Sequence, residues 1–196
     1  MIVIDDVIPK SYQDSIEQVI RNSEWTWKFN RETDTKYAAD TGGQSGFLVT
    51  DKTVQTSQLV HMLYTYESGK QSDMMLFFMA IIYAVEDKTG ASLQKMIRGK
   101  VNMMTPNPNM REGFYNLAHV DALTPNTVLI YYPFDSDGDT IIFNEKYTDE
   151  GVQSLTEKNR ITPKKGRAVL FDGSHYHAST NPIANEYRCV LNFSFV

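Results

Sequence analysis

The second half of the chain is a succession of short strand-like segments, and this pattern restricts the fold more than any other feature. β-Branched and aromatic residues concentrate in short runs, and the turn signals TPNPN, DSDG, PKKG and NPIAN separate them. The runs are residues 93–104, 127–134, 140–144, 168–171 and 187–195. Many short strands separated by turn residues predict a barrel or a double-sheet jelly roll.

The first half has a different character, because its apolar residues recur mainly at helical spacing. Pro9 suits the first position of a helix, and the apolar positions that follow it at helical spacing are Tyr12, Ile16, Val19 and Ile20. Residues 23–29 suit a strand, and residues 31–46 suit an irregular loop. Helical periodicity returns over residues 56–86, as two helices parted near residues 67–71. Helices first and strands afterwards predict an α+β protein.

We therefore expect one domain over residues 1–196, with helical support over about 1–92 packed on one outer face of a β-barrel core over about 93–196. A hydrophobic fraction of 41% is enough for a real core. The net charge of -5 argues against a protein whose main task is to grip nucleic acid. The single cysteine, Cys189, excludes an intramolecular disulfide and favours a reducing cytoplasm. We expect neither a signal peptide nor a membrane span, since the most apolar stretch, residues 74–85, falls short of the roughly 20 residues required.

His119 and Asp121 are separated by a single residue. Side chains at i and i+2 of a strand point to the same face, so this imidazole and carboxylate can converge on one point. Such a pair can be two metal ligands, a catalytic dyad or a buried hydrogen bond. The spacing alone leaves these alternatives open.

A third candidate ligand lies downstream in the segment FDGSHYH, which contains His175 and His177. Two histidines and one carboxylate, with other coordination positions open, are typical of non-haem iron(II) oxygenases. Zinc also binds such a set. If residues 170–177 and 188–195 pair as an antiparallel hairpin, His177 faces Arg188 and both enter one cavity. This geometry favours His177 as the ligand and leaves His175 at the rim or in solvent.

Several segments together resemble the 2-oxoglutarate/Fe(II)-dependent oxygenase superfamily, in particular its prolyl-hydroxylase-like branch. They are HVD at residues 119–121, FDGSHYH at 171–177 and RCVLNFSF at 188–195. VNMMTPNP at 101–108 and TVLIYYPFDSDGDTIIFNE at 127–145 are similar to small uncharacterised bacteriophage members of that branch. The resemblance covers roughly residues 90–196, and the first half matches only in general style.

The resemblance implies a double-stranded β-helix, or jelly roll, that holds Fe(II) inside. His119, Asp121 and His177 are implied as the metal ligands and catalytic residues. The implied activity is that of a dioxygenase, which uses O2 and 2-oxoglutarate, releases succinate and CO2, and hydroxylates an acceptor. Ascorbate is a candidate reductant.

Arg188 is implied to bind the distal carboxylate of 2-oxoglutarate through a bidentate fork, which a lysine cannot reproduce. A lysine commonly fills this role in animal prolyl hydroxylases, so Arg188 departs from them toward other branches. Asn102 and Tyr131, on strands that flank the site, are further candidates for binding the co-substrate.

We expect the acceptor to be a protein or peptide side chain such as proline, with nucleic acid as an alternative. Substrate choice is expected to lie in residues 31–46 and 105–116. If the chain is viral, its location would be the host cytoplasm. Two other functions stay open, namely a non-catalytic jelly-roll binding module and a zinc-dependent hydrolase that uses the same ligands.

Overall fold

The computed structural model describes residues 1–31, 46–93, 95–148 and 150–196, which form two helices and fifteen strands. The helices are α1 (Lys10–Arg21) and α2 (Met74–Thr89). The strands of the first half are β1 (Ile2–Ile4), β2 (Lys28–Asn30), β3 (Phe47–Leu48), β4 (Thr53–Val54), β5 (Gln58–Thr65) and β6 (Gly69–Lys70). Those of the second half are β7 (Met96–Met104), β8 (Tyr115–Asn116), β9 (Ala118–His119), β10 (Thr127–Tyr131), β11 (Thr140–Lys146), β12 (Glu157–Ile161), β13 (Ala168–Asp172), β14 (His175–Ser179) and β15 (Arg188–Phe195).

Two antiparallel sheets form most of the β part, and β4 and β8 make a separate parallel pair. The larger runs in the order β1-β13-β10-β15-β7-β5-β2, with β6 paired to β5, and the smaller runs β12-β11-β14-β9-β3. A cluster of apolar side chains from both sheets fills the space between them. Its members are Val128, Ile130, Tyr132, Ile142, Ile161, Val169, Phe171 and Val190. This double-sheet α+β architecture confirms the predicted jelly roll.

Both helices pack on the outer face of the larger sheet. α1 buries Gln13, Ile16 and Ile20, while α2 buries Phe78 and Ile81 among others in the same cluster. Complete burial of one such apolar side chain contributes about 1.5–3 kcal/mol. α2 ends at Gly90, whose φ of 70° is a left-handed conformation that glycine adopts without steric cost. No helix in the described part of the chain is long and apolar enough to cross a membrane.

β5 corrects the prediction of a helix after residue 56. The register between β5 and β7 shifts between Met62 and Tyr64, which is a bulge. The bulge places the buried Val60 and Leu63 three residues apart, a spacing that imitates a helix. His61 lies on this strand. The predicted loop at residues 31–46 falls almost wholly outside the described residues.

Alternation along β15 divides its side chains between two environments. Cys189, Leu191, Phe193 and Phe195 join the cluster under the helices. The intervening side chains point between the two sheets, and they are Arg188, Val190, Asn192 and Ser194. The space between the sheets thus receives polar groups at regular intervals from a strand that is buried throughout.

Candidate metal centre

The three predicted ligands meet at one point. His119 on β9 and His177 on β14 are direct partners in the smaller sheet, and Asp121 follows two residues after His119. The candidate ligand atoms of the three residues lie within 4.8 Å of one another. The Oδ1 atom of Asp121 is 3.5 Å from Nε2 of His119 and 3.8 Å from Nε2 of His177.

Backbone carbonyls orient both imidazoles. Nδ1 of His119 donates to the carbonyl oxygen of Leu117, and Nδ1 of His177 donates to that of His175, each at 3.1 Å. Because a carbonyl oxygen only accepts, the proton sits on Nδ1, and the Nε2 lone pair of each ring is turned toward Asp121. Nε2 of His177 is buried and has no hydrogen-bond partner among the described residues. The Nε2 lone pair of His177 is therefore suited to bind a cation.

The electrostatics of the site also suit a divalent ion. Burial raises the pKa of Asp121, but the charge of Arg98 and contacts with the two histidines outweigh it and hold that pKa well below its usual range. Burial, together with the neighbouring His119, lowers the pKa of His177 to about 4. At neutral pH the site therefore offers an ionised carboxylate and a neutral imidazole, the forms that metals bind.

Both oxygens of the Asp121 carboxylate are held by the larger sheet. Nη2 of Arg98, on β7, donates to Oδ1 at 2.5 Å, and Oγ of Ser194, on β15, donates to Oδ2 at 3.0 Å. Arg98 and Ser194 are direct cross-strand partners, which explains how both reach the same carboxylate. The side chain of Asp121 is completely buried.

Arg188 lies in the same cavity as the two histidines. Its Nε donates to the carbonyl oxygen of Gly138 at 2.7 Å and its Nη2 donates to Oγ1 of Thr140 at 2.6 Å. Tyr132 also donates to Oγ1 of Thr140, at 2.7 Å. Nη1 has no hydrogen-bond partner among the described residues. Other polar side chains of the wall are Gln58, Lys100, Asn102, Asn116, Thr140, Ser179 and Asn192.

The strand pairing that led to His177 is corrected by the structure. β14 pairs with β11 and β9 in the smaller sheet, whereas β15 pairs with β10 and β7 in the larger one. His177 and Arg188 are therefore not hairpin partners, and they line one cavity from opposite sheets. Residues 180–187 cross from one sheet to the other, and local sequence does not reveal this.

The structure places the two predicted co-substrate residues in different environments. Asn102 lines the cavity, and its buried Oδ1 has no partner among the described residues. Tyr131 lies instead on the opposite face of β10, in the cluster under the helices. The neighbouring Tyr132, one position further on, points between the sheets instead.

His175 takes neither a ligand position nor a fully solvent-facing one. Nδ1 of its ring bonds the carbonyl oxygen of Phe143 at 2.9 Å, and its Nε2 lies 3.4 Å from Nζ of Lys158. Sequence reasoning missed Arg98 and Ser194. Arg98 is four residues from Asn102 on β7, and Ser194 is six residues from Arg188 on β15, so each shares a strand face with a residue that was identified. This shared face was the signal that the sequence offered.

The double-sheet jelly roll is the architecture of several solved 2-oxoglutarate/Fe(II) oxygenases, to which this chain is similar in fold. A prolyl-4-hydroxylase from Pseudomonas putida is similar over 99% of this chain and 90% of its own, with a TM-score of 0.53 and 12% identity. A Trichoplax adhaerens prolyl hydroxylase, solved with a hypoxia inducible factor peptide, matches over 99% and 82%, with a TM-score of 0.56 and 10% identity.

HygX from Streptomyces hygroscopicus, solved with nickel and 2-oxoglutarate bound, matches over 99% of this chain and 81% of its own, with a TM-score of 0.53 and 12% identity. No protein-family model and no curated protein matches the sequence. At identities this low, the structural likeness establishes a common fold. The fold does not determine the activity, which depends on the residues of the site.

Proposed function

We propose that this protein is a 2-oxoglutarate- and Fe(II)-dependent dioxygenase that hydroxylates an acceptor and releases succinate and CO2. The observation that carries the proposal is the presence of Arg188 in the same cavity as His119 and His177, whose Nε2 atoms face the carboxylate of Asp121. A metal site alone would serve hydrolysis equally well. A buried guanidinium beside it supplies what a dicarboxylate co-substrate needs.

The triad would hold the iron through Oδ1 of Asp121 and the Nε2 atoms of the two histidines. The remaining coordination positions stay open, as the reaction of O2 with a bound keto acid requires. When bound, iron supplies the redox chemistry that couples decarboxylation of 2-oxoglutarate to hydroxylation of the acceptor. The protein's own task is to fix the ligands and the co-substrate and to keep water out.

Arg188 would bind the distal carboxylate of 2-oxoglutarate. Its contacts with Gly138 and Thr140 use Nε and Nη2 and hold the guanidinium in one orientation, while Nη1 is left for the co-substrate. Tyr132 and Thr140 add hydroxyl groups at the same place. Asn102 would offer its amide to the co-substrate from the cavity wall.

For the acceptor we favour a peptide or protein side chain. A prolyl hydroxylase with this fold has been solved in complex with a peptide fragment of hypoxia inducible factor. In this chain, Ser57 and Thr105 directly neighbour the cavity residues Gln58 and Met104 in sequence and belong to an open groove. The groove is lined by Phe29, Arg31, Gln55, Thr56, Ser57, Thr105, Pro106, Asn107 and Pro108. A groove of this kind suits an extended chain better than a small metabolite.

The test is succinate formation by protein reconstituted with Fe(II) under anaerobic conditions and then given 2-oxoglutarate, ascorbate and O2. We expect slow uncoupled turnover in the wild type and a loss of at least about 100-fold in His119→Ala, Asp121→Ala and His177→Ala. His175→Ala is the matched control, because it removes a histidine two residues away whose ring contacts β11 and not the triad. It should keep wild-type turnover.

Binding measurements separate this proposal from the alternatives. Anaerobic addition of 2-oxoglutarate to the Fe(II) protein should produce a visible charge-transfer absorption, and Arg188→Met should weaken that titration at least about 100-fold, since charged hydrogen bonds are lost. Purified protein that retains zinc and hydrolyses esters or amides would support the hydrolase instead. Succinate equal to a no-enzyme control in protein that binds iron would refute the oxygenase.

A further inference from the structure

The two residues that hold the Asp121 carboxylate differ in which oxygen they contact, and the difference is chemically informative. Oδ1 is the oxygen that faces the Nε2 atoms of both histidines, at 3.5 and 3.8 Å, so it is the atom available to a metal. Ser194 donates to the other oxygen, Oδ2. Arg98 donates to Oδ1 itself, at 2.5 Å.

A residue that only orients a metal-binding carboxylate is expected on the oxygen that the metal does not use. Ser194 meets this description, because a neutral hydroxyl on Oδ2 fixes the carboxylate without competing for Oδ1. Arg98 does not meet it. Its full positive charge sits on the same oxygen as the ion, and like charges that share one oxygen in a buried site repel strongly.

Arg98 also provides the buried Asp121 carboxylate with a charged partner when no ion is bound. The Asp121 side chain is completely buried, and an ionised carboxylate in that position requires a charged partner. Among the ion pairs of the described residues, Arg98 gives Asp121 its permanent cation, since the histidines are charged only when protonated. The side chain of Arg98 is itself 14% exposed and projects from β7.

We infer that Arg98 is a resident counter-cation of the metal site, which neutralises Asp121 in the metal-free protein and lowers the affinity of the site for a divalent ion. This inference rests on the proposed function only for the existence of the metal site. It makes Arg98 a positioning residue that acts through Asp121. The arrangement keeps the three ligands assembled before the metal arrives and makes the bound metal exchangeable.

The test is calorimetric titration of Mn²⁺, an air-stable stand-in for Fe(II), into the metal-free protein. Arg98→Met removes the charge and the hydrogen bond, while Arg98→Gln keeps an N–H donor without the charge. Both should bind Mn²⁺ about 10- to 100-fold more tightly than the wild type. Arg98→Lys, which keeps the charge, should stay close to the wild type.

Ser194→Ala should change the affinity in the opposite direction, to about tenfold weaker, because it loses only the orienting bond. Arg160→Met is the matched control. It removes an arginine with two ion pairs, to Asp139 and Glu157, on the surface of the smaller sheet, and it should leave Mn²⁺ affinity unchanged.

Thermal unfolding provides a second readout. Metal-free Arg98→Met should melt about 5–10 °C below the wild type, because the buried carboxylate has lost its partner. Mn²⁺ should raise its melting temperature more than it raises that of the wild type, because the ion replaces the missing charge. Folding of this variant only in the presence of Mn²⁺ would have the same meaning.

Two results overturn the inference. The first is unchanged or weaker Mn²⁺ binding in both Arg98→Met and Arg98→Gln while the wild type binds normally, which would make Arg98 an orienting residue like Ser194. The second is a wild type that binds no Mn²⁺, which removes the metal site and the proposed function together. The two failures are thereby distinguishable.

Discussion

Gly138 offers a way to disturb the co-substrate site without touching the metal ligands. Its carbonyl oxygen accepts the Nε hydrogen bond of Arg188. A Cβ added at Gly138 would lie 2.8 Å from Cδ of Arg188, 2.8 Å from the carbonyl oxygen of Thr180 and 3.0 Å from the backbone nitrogen of Pro182. Two of these three atoms belong to the backbone, so the substitution must displace the backbone of residues 180–182 as well as the stem of Arg188.

The size of the effect follows from these contacts. Overpacking of this kind costs about 1–3 kcal/mol, and a distorted hydrogen bond from a charged group costs about 1.5–3 kcal/mol. Since about 1.4 kcal/mol is a factor of ten, we expect Gly138→Ala to bind 2-oxoglutarate about 10- to 100-fold more weakly. Its Fe(II) affinity should stay unchanged, because His119, Asp121 and His177 make no contact with this position.

The assay is an anaerobic 2-oxoglutarate titration of the Fe(II) protein, followed by its charge-transfer absorption. Gly69→Ala is the control. Gly69 has a φ of 69°, so alanine there is strained, but nothing lies within 4 Å of the added Cβ. This variant should lose stability and keep 2-oxoglutarate affinity, which separates a general loss of stability from a local effect on Arg188.

Wild-type 2-oxoglutarate affinity in folded Gly138→Ala would refute the reasoning, because the stem of Arg188 could then move without consequence for the guanidinium. A parallel loss of Fe(II) affinity would also refute it. In that case the substitution would be acting on the whole cavity.

Two further predictions concern the same cavity and the outer ion pairs. Tyr132→Phe removes a hydroxyl from the network with Thr140 and Arg188, so 2-oxoglutarate binding in the same titration should weaken about 3- to 10-fold at constant Fe(II) affinity. The hydrogen bond from Arg167 lowers the pKa of Asp5 to about 2, although partial burial opposes this shift. Because this pKa in the folded protein lies below the ordinary value of 3.8, the pair stabilises the protein above about pH 4. The contribution is lost as the pH falls toward 2. Asp5→Asn should remove that part of the acid dependence of urea unfolding, worth at most about 1 kcal/mol because the pair is partly solvated.

Much of the β half could be predicted from the sequence, because alternation is a local property of each strand. Residues 93–104 and 187–195 were expected as strands, and they contain β7 and β15. The partner of each strand is not a local property. FDGSHYH and RCVLNFSF are close in the chain and suit a hairpin, yet β14 and β15 belong to different sheets.

The same distinction applies to the site. His119 and Asp121 could be predicted as a pair because two residues of separation place them on one face. Arg98 and Ser194 reach Asp121 only because β7 and β15 are neighbours in the other sheet, and no spacing in the sequence encodes that. The sequence does not show which face of β10 points into the cavity, because residues on both faces are apolar or aromatic. An error of one residue therefore exchanges Tyr131 for Tyr132.

The cavity has one wall from each sheet, since the histidines belong to the smaller sheet, and Arg188 and Asn102 to the larger. A keto acid held between Arg188 and a metal on the triad, as proposed, would bind only the assembled sandwich, so the concentrations of both ligands would affect the folding equilibrium. At a free ligand concentration of 100 times Kd, the gain is about 2.7 kcal/mol. Starvation for either ligand would thus raise the unfolded fraction about a hundredfold, and the abundance of this protein would follow the supply of what it binds.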